Sequence, residues 1–253
     1  MTYLEPEYAL KLEASLLEEV VKGQRDTGCL VWTTNPCLIA PRSYLRNQAF
    51  PDACRKMKYL GWPVYVRPTA GDVTPQGAGT FNVSTVFRVR KNEDRNVEAI
   101  YRWLCDPLIA WVESLGKTAC CGPINQSFCD GSFNVAVEGR KLAGTAQRWR
   151  ACSSRNGDWS VLAHAIVLVD AAIEPGVAAV NRFYECCDIE DRVRPESHIN
   201  LSELHRLESG HLNLSDQEAE LQRRFEAALA KIHNSVHFTQ IRPSGHMITH
   251  RVK

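Results

Sequence analysis

The sequence predicts an α+β domain in which a mixed, largely antiparallel sheet is flanked by helices. Three observations favour this class. An amphipathic pattern near the N-terminus indicates a helix, several short segments in the middle alternate like strands, and the last third has helical spacing. Alternating segments joined by tight turns are typical of antiparallel strands, and a sheet with helices grouped around it is an α+β arrangement.

Length and composition set the class of protein. The 253 residues are enough to bury one core, and 44% apolar with 23% charged residues is ordinary for a globular protein. The net charge of +1 gives no reason to expect a nucleic acid or a membrane as partner. No apolar segment approaches a membrane span, and we expect a cytoplasmic protein. Residues 1–235 are predicted to form one domain and residues 236–253 a polar C-terminal tail.

The chain contains ten cysteines. A cytoplasmic location predicts free thiols, most of them small buried apolar residues. Cys120-Cys121 and Cys186-Cys187 are adjacent pairs, and the sequence has no C-x-x-C. We therefore expect no metal site.

The first helix is predicted over 6–22, because Pro6 suits a first turn and apolar residues recur every three or four positions. Short strands are then predicted at 29–32, 37–40 and 64–66, and one further helix is predicted at 46–60.

Residues 67–80 contain three glycines, two prolines and few large apolar side chains, which indicates a shaped loop. An alternating strand follows at 81–87, and an amphipathic helix at 95–115. Residues 117–125 are predicted to be loop.

Residues 127–150 are predicted to contain a β-hairpin, around which the rest of the chain is organised. Residues 134–137 alternate like a strand, residues 138–140 form a tight turn, and residues 141–144 return. The remaining predicted elements are a strand at 159–169, a helix at 174–187, an exposed connection at 195–201 and a helix that begins at 214–218 with Ser215 as its cap.

Cys129 is the candidate nucleophile. It stands just before the first strand of the hairpin, among small polar residues that favour access to the thiol. The alternative is a buried structural thiol like the other nine, and composition favours that alternative. The choice between a nucleophile and a structural thiol therefore depends on the residues that the fold places around Cys129.

Lys141 begins the second strand of the hairpin, where a lysine is usually solvated. Small residues follow it and allow close approach of backbone to a ligand, and Gln147 could fix an acyl carbonyl. Arg67 stands at the entrance of the 67–80 loop. Because that loop opens a strand and not a helix, a phosphate-binding loop is disfavoured. His164 lies in an apolar strand, as a core histidine or a catalytic base.

Two motifs together resemble the biotin/lipoate protein ligase superfamily. The family pattern Arg-x-Ser-Gly-Gly, a spacer, then Gly-x-x-Asn-x-Ser is similar to residues 67–71 followed by 79–84. The pattern Gly-Lys-Lys-x-x-Gly-x-Ala-Gln is similar to residues 139–147. Within the superfamily, residues 127–134 resemble the Ser-Tyr-Cys-Pro-Gly-Ser-Tyr-Asp stretch of the octanoyl/lipoyl amidotransferases.

The resemblance implies a biotin/lipoyl ligase-like catalytic domain with Cys129 and Lys141 as its catalytic pair. Lys141 is expected to contact the acyl carbonyl, while the 67–80 loop and Gly144 wall the acyl tunnel. The candidate acyl-binding residues are Arg67, Thr69, Ala70, Gly71, Gly79, Asn82, Gly144, Thr145, Ala146, Gln147 and His164. Asp72 departs from the glycine or apolar residue of many relatives; it either disfavours an adenylate phosphate or points to solvent.

By this resemblance the chain is an acyltransferase that moves an octanoyl or lipoyl group to the lysine of a lipoyl domain through a cysteine thioester. The implied partners are the glycine cleavage H protein, 2-oxoacid dehydrogenase E2 subunits and, as a further donor, acyl carrier protein. No cofactor is required for such transfer. Two alternatives stay open: an ATP- and Mg-dependent lipoate or biotin protein ligase that acts through an acyl adenylate, and a non-catalytic protein that binds lipoyl domains or acyl chains.

Overall fold

A computed structural model describes residues 1–91, 96–153, 157–205 and 212–234 of the chain, so the expected tail at 236–253 lies outside the described residues. The main sheet has six strands, and every neighbouring pair in it is antiparallel. In spatial order these strands are β1 (Thr27–Trp32), β5 (Thr80–Val89), β9 (Trp159–Leu168), β8 (Arg140–Ala151), β7 (Asn134–Val137) and β6 (Ala119–Gly122).

A second, smaller sheet has three strands, in the order β3 (Val64–Arg67), β2 (Cys37–Pro41) and β4 (Thr74–Gln76). The pairing of β2 with β3 is parallel, and that of β2 with β4 is antiparallel. The sheets are thus mixed and largely antiparallel, which confirms the predicted fold class.

Helices cover both faces of the main sheet. The helices of the described ranges are α1 (Pro6–Val21), α2 (Phe50–Tyr59), α3 (Val97–Ser114), α4 (Ile173–Cys186), α5 (Leu201–His205) and α6 (Leu214–Asn234). Because side chains alternate along a strand, the two faces bury different residues. One face packs on α3 and α6, and the other packs on α1. Helices α2 and α4 pack beside the small sheet. In the described part of the chain, no helix has the length and apolar character needed to cross a bilayer.

The predicted hairpin is present as β7 and β8. Glu138 and Gly139 connect the strands with φ angles of 52° and 74°. Two successive left-handed residues are the geometry of a two-residue hairpin turn whose twist matches that of the strands. Strand β8 continues to Ala151, well beyond the predicted return, because it also pairs along β9.

Three segments differ from the predictions in the first half of the chain. Strand β4 lies inside the predicted 67–80 loop, and it tolerates a central Pro75 because it is an edge strand. Strand β6 lies inside the predicted 117–125 loop; it has only four residues and no apolar alternation that would reveal it. Helix α2 begins at Phe50, after a short 3-10 turn at Arg42–Arg46.

Two predictions for the last third were wrong. The 195–201 connection is not exposed: His198 is 2% exposed and Leu201 is fully buried. Helix α6 is capped by Asn213, whose Oδ1 accepts a hydrogen bond from Ser215 N at 2.9 Å, so Ser215 is not the cap. The 195–201 segment is buried by tertiary packing, which local composition does not indicate.

Gly79 is a point of close backbone approach. Its carbonyl oxygen accepts hydrogen bonds from Val169 N and Asp170 N, both at 3.0 Å. A Cβ at this position would lie 1.9 Å from Asp170 O. Only glycine fits there, because the main chain at Gly79 contacts the main chain at Asp170.

We expect Gly79→Ala to lower the free energy of unfolding by about 2–3 kcal/mol, because neither main chain can retreat without loss of these bonds. Urea unfolding measures the change. The matched control is Gly77→Ala, since a Cβ at Gly77 meets nothing within 4 Å and a change within about 0.5 kcal/mol is expected. Equal losses for both variants would contradict this account.

Candidate active site

A narrow cavity lies between the α1-covered face of the main sheet and the small sheet. Helix α1 contributes Glu13, the small sheet contributes Arg67, and the hairpin contributes Cys129 and Lys141. The open space is about 30 Å³, which is room for about one water molecule. The side chains around it therefore already lie close together.

Cys129 presents its sulfur to two donors. The main-chain N–H of Asp72 donates to Cys129 Sγ at 3.0 Å, and Arg67 Nη2 approaches the same sulfur at 3.7 Å. Both groups thus direct positive charge at the sulfur. Gly71 makes the approach possible, because a Cβ on this residue would lie 2.7 Å from Cys129 Sγ. The thiol is thus partly exposed and hydrogen-bonded to groups of another loop, unlike a thiol buried in the apolar core.

Lys141 is 1% exposed and contacts the main chain of Cys129. Its Nζ donates to Phe128 O at 2.7 Å and to Cys129 O at 2.8 Å. Burial lowers the pKa of Lys141 to about 8, with a smaller contribution from Arg67. Two of the three N–H donors of the ammonium are used by these carbonyls, which leaves the third for a ligand.

Arg67 connects the loop of the small sheet to the thiol. Its Nη2 donates to Asp72 O at 2.9 Å and to Ala70 O at 3.3 Å, and its Nη1 donates to Thr74 Oγ1 at 3.1 Å. Its Nε is buried and has no hydrogen-bond partner. Arg67 therefore holds the 70–74 loop in place and brings a positive charge to the sulfur.

Two further titratable groups face the cavity. His164 Nε2 lies 3.3 Å from Thr69 Oγ1, and burial lowers the pKa of His164 to about 3, so the ring is neutral. Glu13 accepts hydrogen bonds from Trp32 Nε1 at 3.3 Å and from Ser84 Oγ. Burial raises the pKa of the Glu13 carboxyl.

The structure brings most of the sequence-predicted site residues to this cavity. Those that line it are Arg67, Asn82, Cys129, Lys141, Gly144, Thr145, Ala146 and His164. Thr69, Ala70 and Gly71 lie beside it through the contacts given above. In the described ranges, no group of three or more His, Cys, Asp or Glu side chains is arranged to hold a metal.

Two predicted site residues lie elsewhere. Gly79 is used for the main-chain contact with Asp170 and does not line the cavity. Gln147 also lies outside the cavity, since its Nε2 donates to Val97 O at 2.9 Å and its Oε1 accepts from Trp149 Nε1 at 2.7 Å. Their acyl-binding roles have no support in these contacts.

Sequence reasoning missed two residues that touch this site, Glu13 and His198, and at Asp72 it considered only the side chain. Asp72 acts through its main-chain N–H, which no side-chain motif reveals. Glu13 lies in a buried stripe of α1 with Ala9 and Leu17, and a carboxylate at four-residue spacing in such a stripe is a signal that could have found it. His198 Nε2 accepts a hydrogen bond from Phe128 N at 3.1 Å. Its segment carries no local pattern.

Replacing Lys141 tests the buried amine. The pKa of Lys141 is about 8 in the folded protein, whereas a lysine in an unfolded chain has a pKa of about 10.4. Between these values the unfolded chain binds more protons, so this residue makes the free energy of unfolding rise with pH across that window. We expect the rise to disappear in Lys141→Met. Urea unfolding of both proteins at about pH 7 and about pH 10 measures it; a constant difference between the proteins would contradict the lowered pKa.

Comparison with known proteins identifies the family. A family model described as the lipoyl protein ligase A/B catalytic domain matches residues 5–208. A protein of Cupriavidus necator without an assigned function is 34% identical over 188 residues, which cover 71% of this chain and 74% of that protein. An octanoyl-[GcvH]:protein N-octanoyltransferase of Kyrpidia tusciae is 33% identical over 159 residues, which cover 61% of this chain and 54% of that protein. The match thus spans about half the length of this transferase.

The fold also matches solved structures. Lipoate-protein ligase A bound with ATP superposes with a TM-score of 0.66 at 15% identity, over 91% of this chain and 84% of that one. A putative lipoate protein ligase from T. acidophilum with bound lipoic acid gives a TM-score of 0.63 at 16% identity, with the same coverage. The family model and these folds confirm the resemblance found in the sequence motifs. The chain belongs to the lipoyl protein ligase A/B catalytic domain family.

Proposed function

We propose that this protein is an acyltransferase that moves an octanoyl or lipoyl group to the lysine of a lipoyl domain through a thioester on Cys129. One observation carries the proposal: Cys129 Sγ meets Asp72 N–H and Arg67 in the cavity that also holds Lys141. Relatives named octanoyl-[GcvH]:protein N-octanoyltransferase, from Kyrpidia tusciae and Bacillus velezensis among others, support it.

In the first step the Cys129 thiolate attacks the carbonyl carbon of the donor. An S–C bond forms, the bond from the acyl carbon to the donor amine breaks, and the amine leaves with a proton. Lys141 is suited to this step because its third N–H is available to the acyl oxygen. Its pKa of about 8 also lets it give up a proton near neutral pH.

In the second step the neutral amine of the acceptor lysine attacks the thioester. A C–N bond forms, the C–S bond breaks, and the thiolate returns to its two donors, Asp72 N–H and Arg67. The proton lost by the attacking amine needs an acceptor, and Lys141 in its neutral form, whose Nζ lies 2.8 Å from Cys129 O, is the candidate base.

The donor and acceptor are the finer part of the proposal. The names of the transferase relatives support GcvH, the glycine cleavage H protein, as an octanoyl donor. An archaeal ligase of similar fold is known together with its E2 lipoyl domain, which supports an E2 subunit of a 2-oxoacid dehydrogenase as acceptor. Acyl carrier protein is the alternative donor.

The ATP-dependent ligase is the second candidate, since ligases belong to the same family. A ligase loop has to offer its N–H groups to phosphate oxygens. Here the N–H of Asp72 is used by the sulfur, and the Asp72 carboxylate accepts from Tyr44 Oη at 2.5 Å and from Val73 N at 2.7 Å. The loop thus carries a carboxylate on the same residue, and this negative charge disfavours an adenylate phosphate and favours transfer without a cofactor.

Intact mass spectrometry tests the thioester. After incubation with octanoyl-H protein, we expect the wild type to gain the mass of one octanoyl group and Cys129→Ser to gain none, because a serine hydroxyl is not ionised by these neighbours. Cys120→Ser is the matched control, since Cys120 is a partly exposed thiol outside the cavity, and it should acylate like the wild type. An adduct that persists in Cys129→Ser would sink the mechanism.

The donor is tested by transfer to an apo lipoyl domain. We expect octanoyl-H protein to acylate it without ATP, and octanoate with ATP and Mg²⁺ to leave it unmodified, because the Asp72 carboxylate of this loop repels a phosphate. Octanoyl carrier protein is the third arm. Pyrophosphate release that depends on free octanoate or lipoate would decide for the ligase.

A further inference from the structure

The nucleophile loop is strained. Gln126 has a φ of 60° and Cys129 has a φ of 51°, and neither is glycine. L-residues adopt the left-handed region at a cost, which persists only where surrounding contacts over-determine the conformation. Contacts that hold this loop are therefore part of the way in which the thiol is presented.

A segment that comes much later in the sequence supplies such contacts. We call residues 194–199, which follow α4, the clamp segment. Arg194 N donates to Gln126 O at 2.9 Å, and Ile199 N donates to Lys141 O at 3.0 Å. The clamp segment thus holds the main chain on both sides of the catalytic pair: at the start of the nucleophile loop and at Lys141.

His198 lies at the centre of the clamp segment. Its ring stacks on Phe128 with centroids 4.1 Å apart and planes 16° apart. Its Nδ1 lies 2.9 Å from Arg194 O, which only a protonated Nδ1 can use, so Nε2 is the acceptor for Phe128 N at 3.1 Å. Burial, followed by the charge of Lys141, lowers the pKa of His198 to about 4, which agrees with this neutral tautomer.

We propose that His198 is a positioning residue for the nucleophile: it fixes the Phe128 peptide and so holds Cys129 in the left-handed conformation that directs Sγ at Asp72 N–H. Phe128 is held from two sides, since its N–H is bound by His198 and its carbonyl by Lys141. His198 touches no reacting atom. Without its ring nitrogen, Phe128 N–H is buried without a partner, and the strained residue after it is free to relax.

Two variants separate the acceptor nitrogen from the ring. His198→Phe keeps the stacking and removes the acceptor, whereas His198→Gln places an amide oxygen where Nε2 accepts. Ser202→Ala is the control, because Ser202 is buried beside the clamp segment and the change removes a part-buried hydrogen bond, from Ser202 Oγ to Asp170 Oδ1 at 2.7 Å, that does not involve the nucleophile loop. If His198→Phe does not fold, His198→Met, which also lacks a strong acceptor, takes its place.

The readouts are the rate of Cys129 octanoylation by intact mass and the rate of Cys129 alkylation by iodoacetamide, followed on the peptide that carries it. We expect both rates to fall about tenfold or more in His198→Phe and to stay within about threefold of the wild type in His198→Gln and Ser202→Ala. Thermal unfolding of all variants shows how much stability each has lost.

Two results would overturn the proposal. One is a His198→Phe protein that reacts at the wild-type rate in both assays. The other is a reaction rate that falls in proportion to the loss of thermal stability, with the same proportion in His198→Phe, His198→Gln and Ser202→Ala. That result would indicate a merely structural role. The octanoylation assay rests on the proposed function, but alkylation does not. A protein that accepts no octanoyl group therefore refutes the transferase and leaves the alkylation comparison as the test of His198.

Discussion

The buried amine of Lys141 is the interaction on which the rest of the site depends. An ammonium that is 1% exposed is costly unless its N–H groups are satisfied, and the carbonyls of Phe128 and Cys129 satisfy two of them. Those carbonyls belong to Cys129, the proposed nucleophile, and to the residue before it. The bonds that make the amine tolerable in the core therefore also fix the peptide that carries the thiol, so stability and reactivity at this site share the same contacts.

Two glycines from different sheets make these contacts possible. At Gly144, on β8, a Cβ would lie 2.9 Å from Lys141 Nζ, and at Gly71, beside the small sheet, a Cβ would lie 2.7 Å from Cys129 Sγ. Gly71 also has a φ of 105°, which other residues rarely adopt. Each glycine gives the space that one of these two side chains occupies. A glycine in a motif of this kind is thus required by the position of a neighbouring side chain.

The sequence predicts structure that depends on local interactions better than structure that depends on contacts between distant segments of the chain. The hairpin was predictable because alternation and turn chemistry are local, and twelve residues of one hairpin bring Cys129 and Lys141 together. Arg67 and the glycines were found because their spacing matches a family. His198 and the Asp72 N–H were not, because His198 meets Phe128 across 70 residues of chain and the Asp72 N–H meets Cys129 Sγ across 57. No local pattern of residue types encodes that kind of contact.

The division of the site between two sheets bears on how an acyl chain can enter. About 30 Å³ of open space holds about one water, so a medium-chain acyl group needs side chains to move. Lys141 is tied to main-chain carbonyls, and Cys129 is tied to the small sheet through Asp72 N–H. Movement of either residue breaks these hydrogen bonds. Leu10 of α1 lines the same cavity and, as an apolar side chain, makes no hydrogen bond that its movement would break, so we expect the proposed acyl chain to gain space on the α1 side.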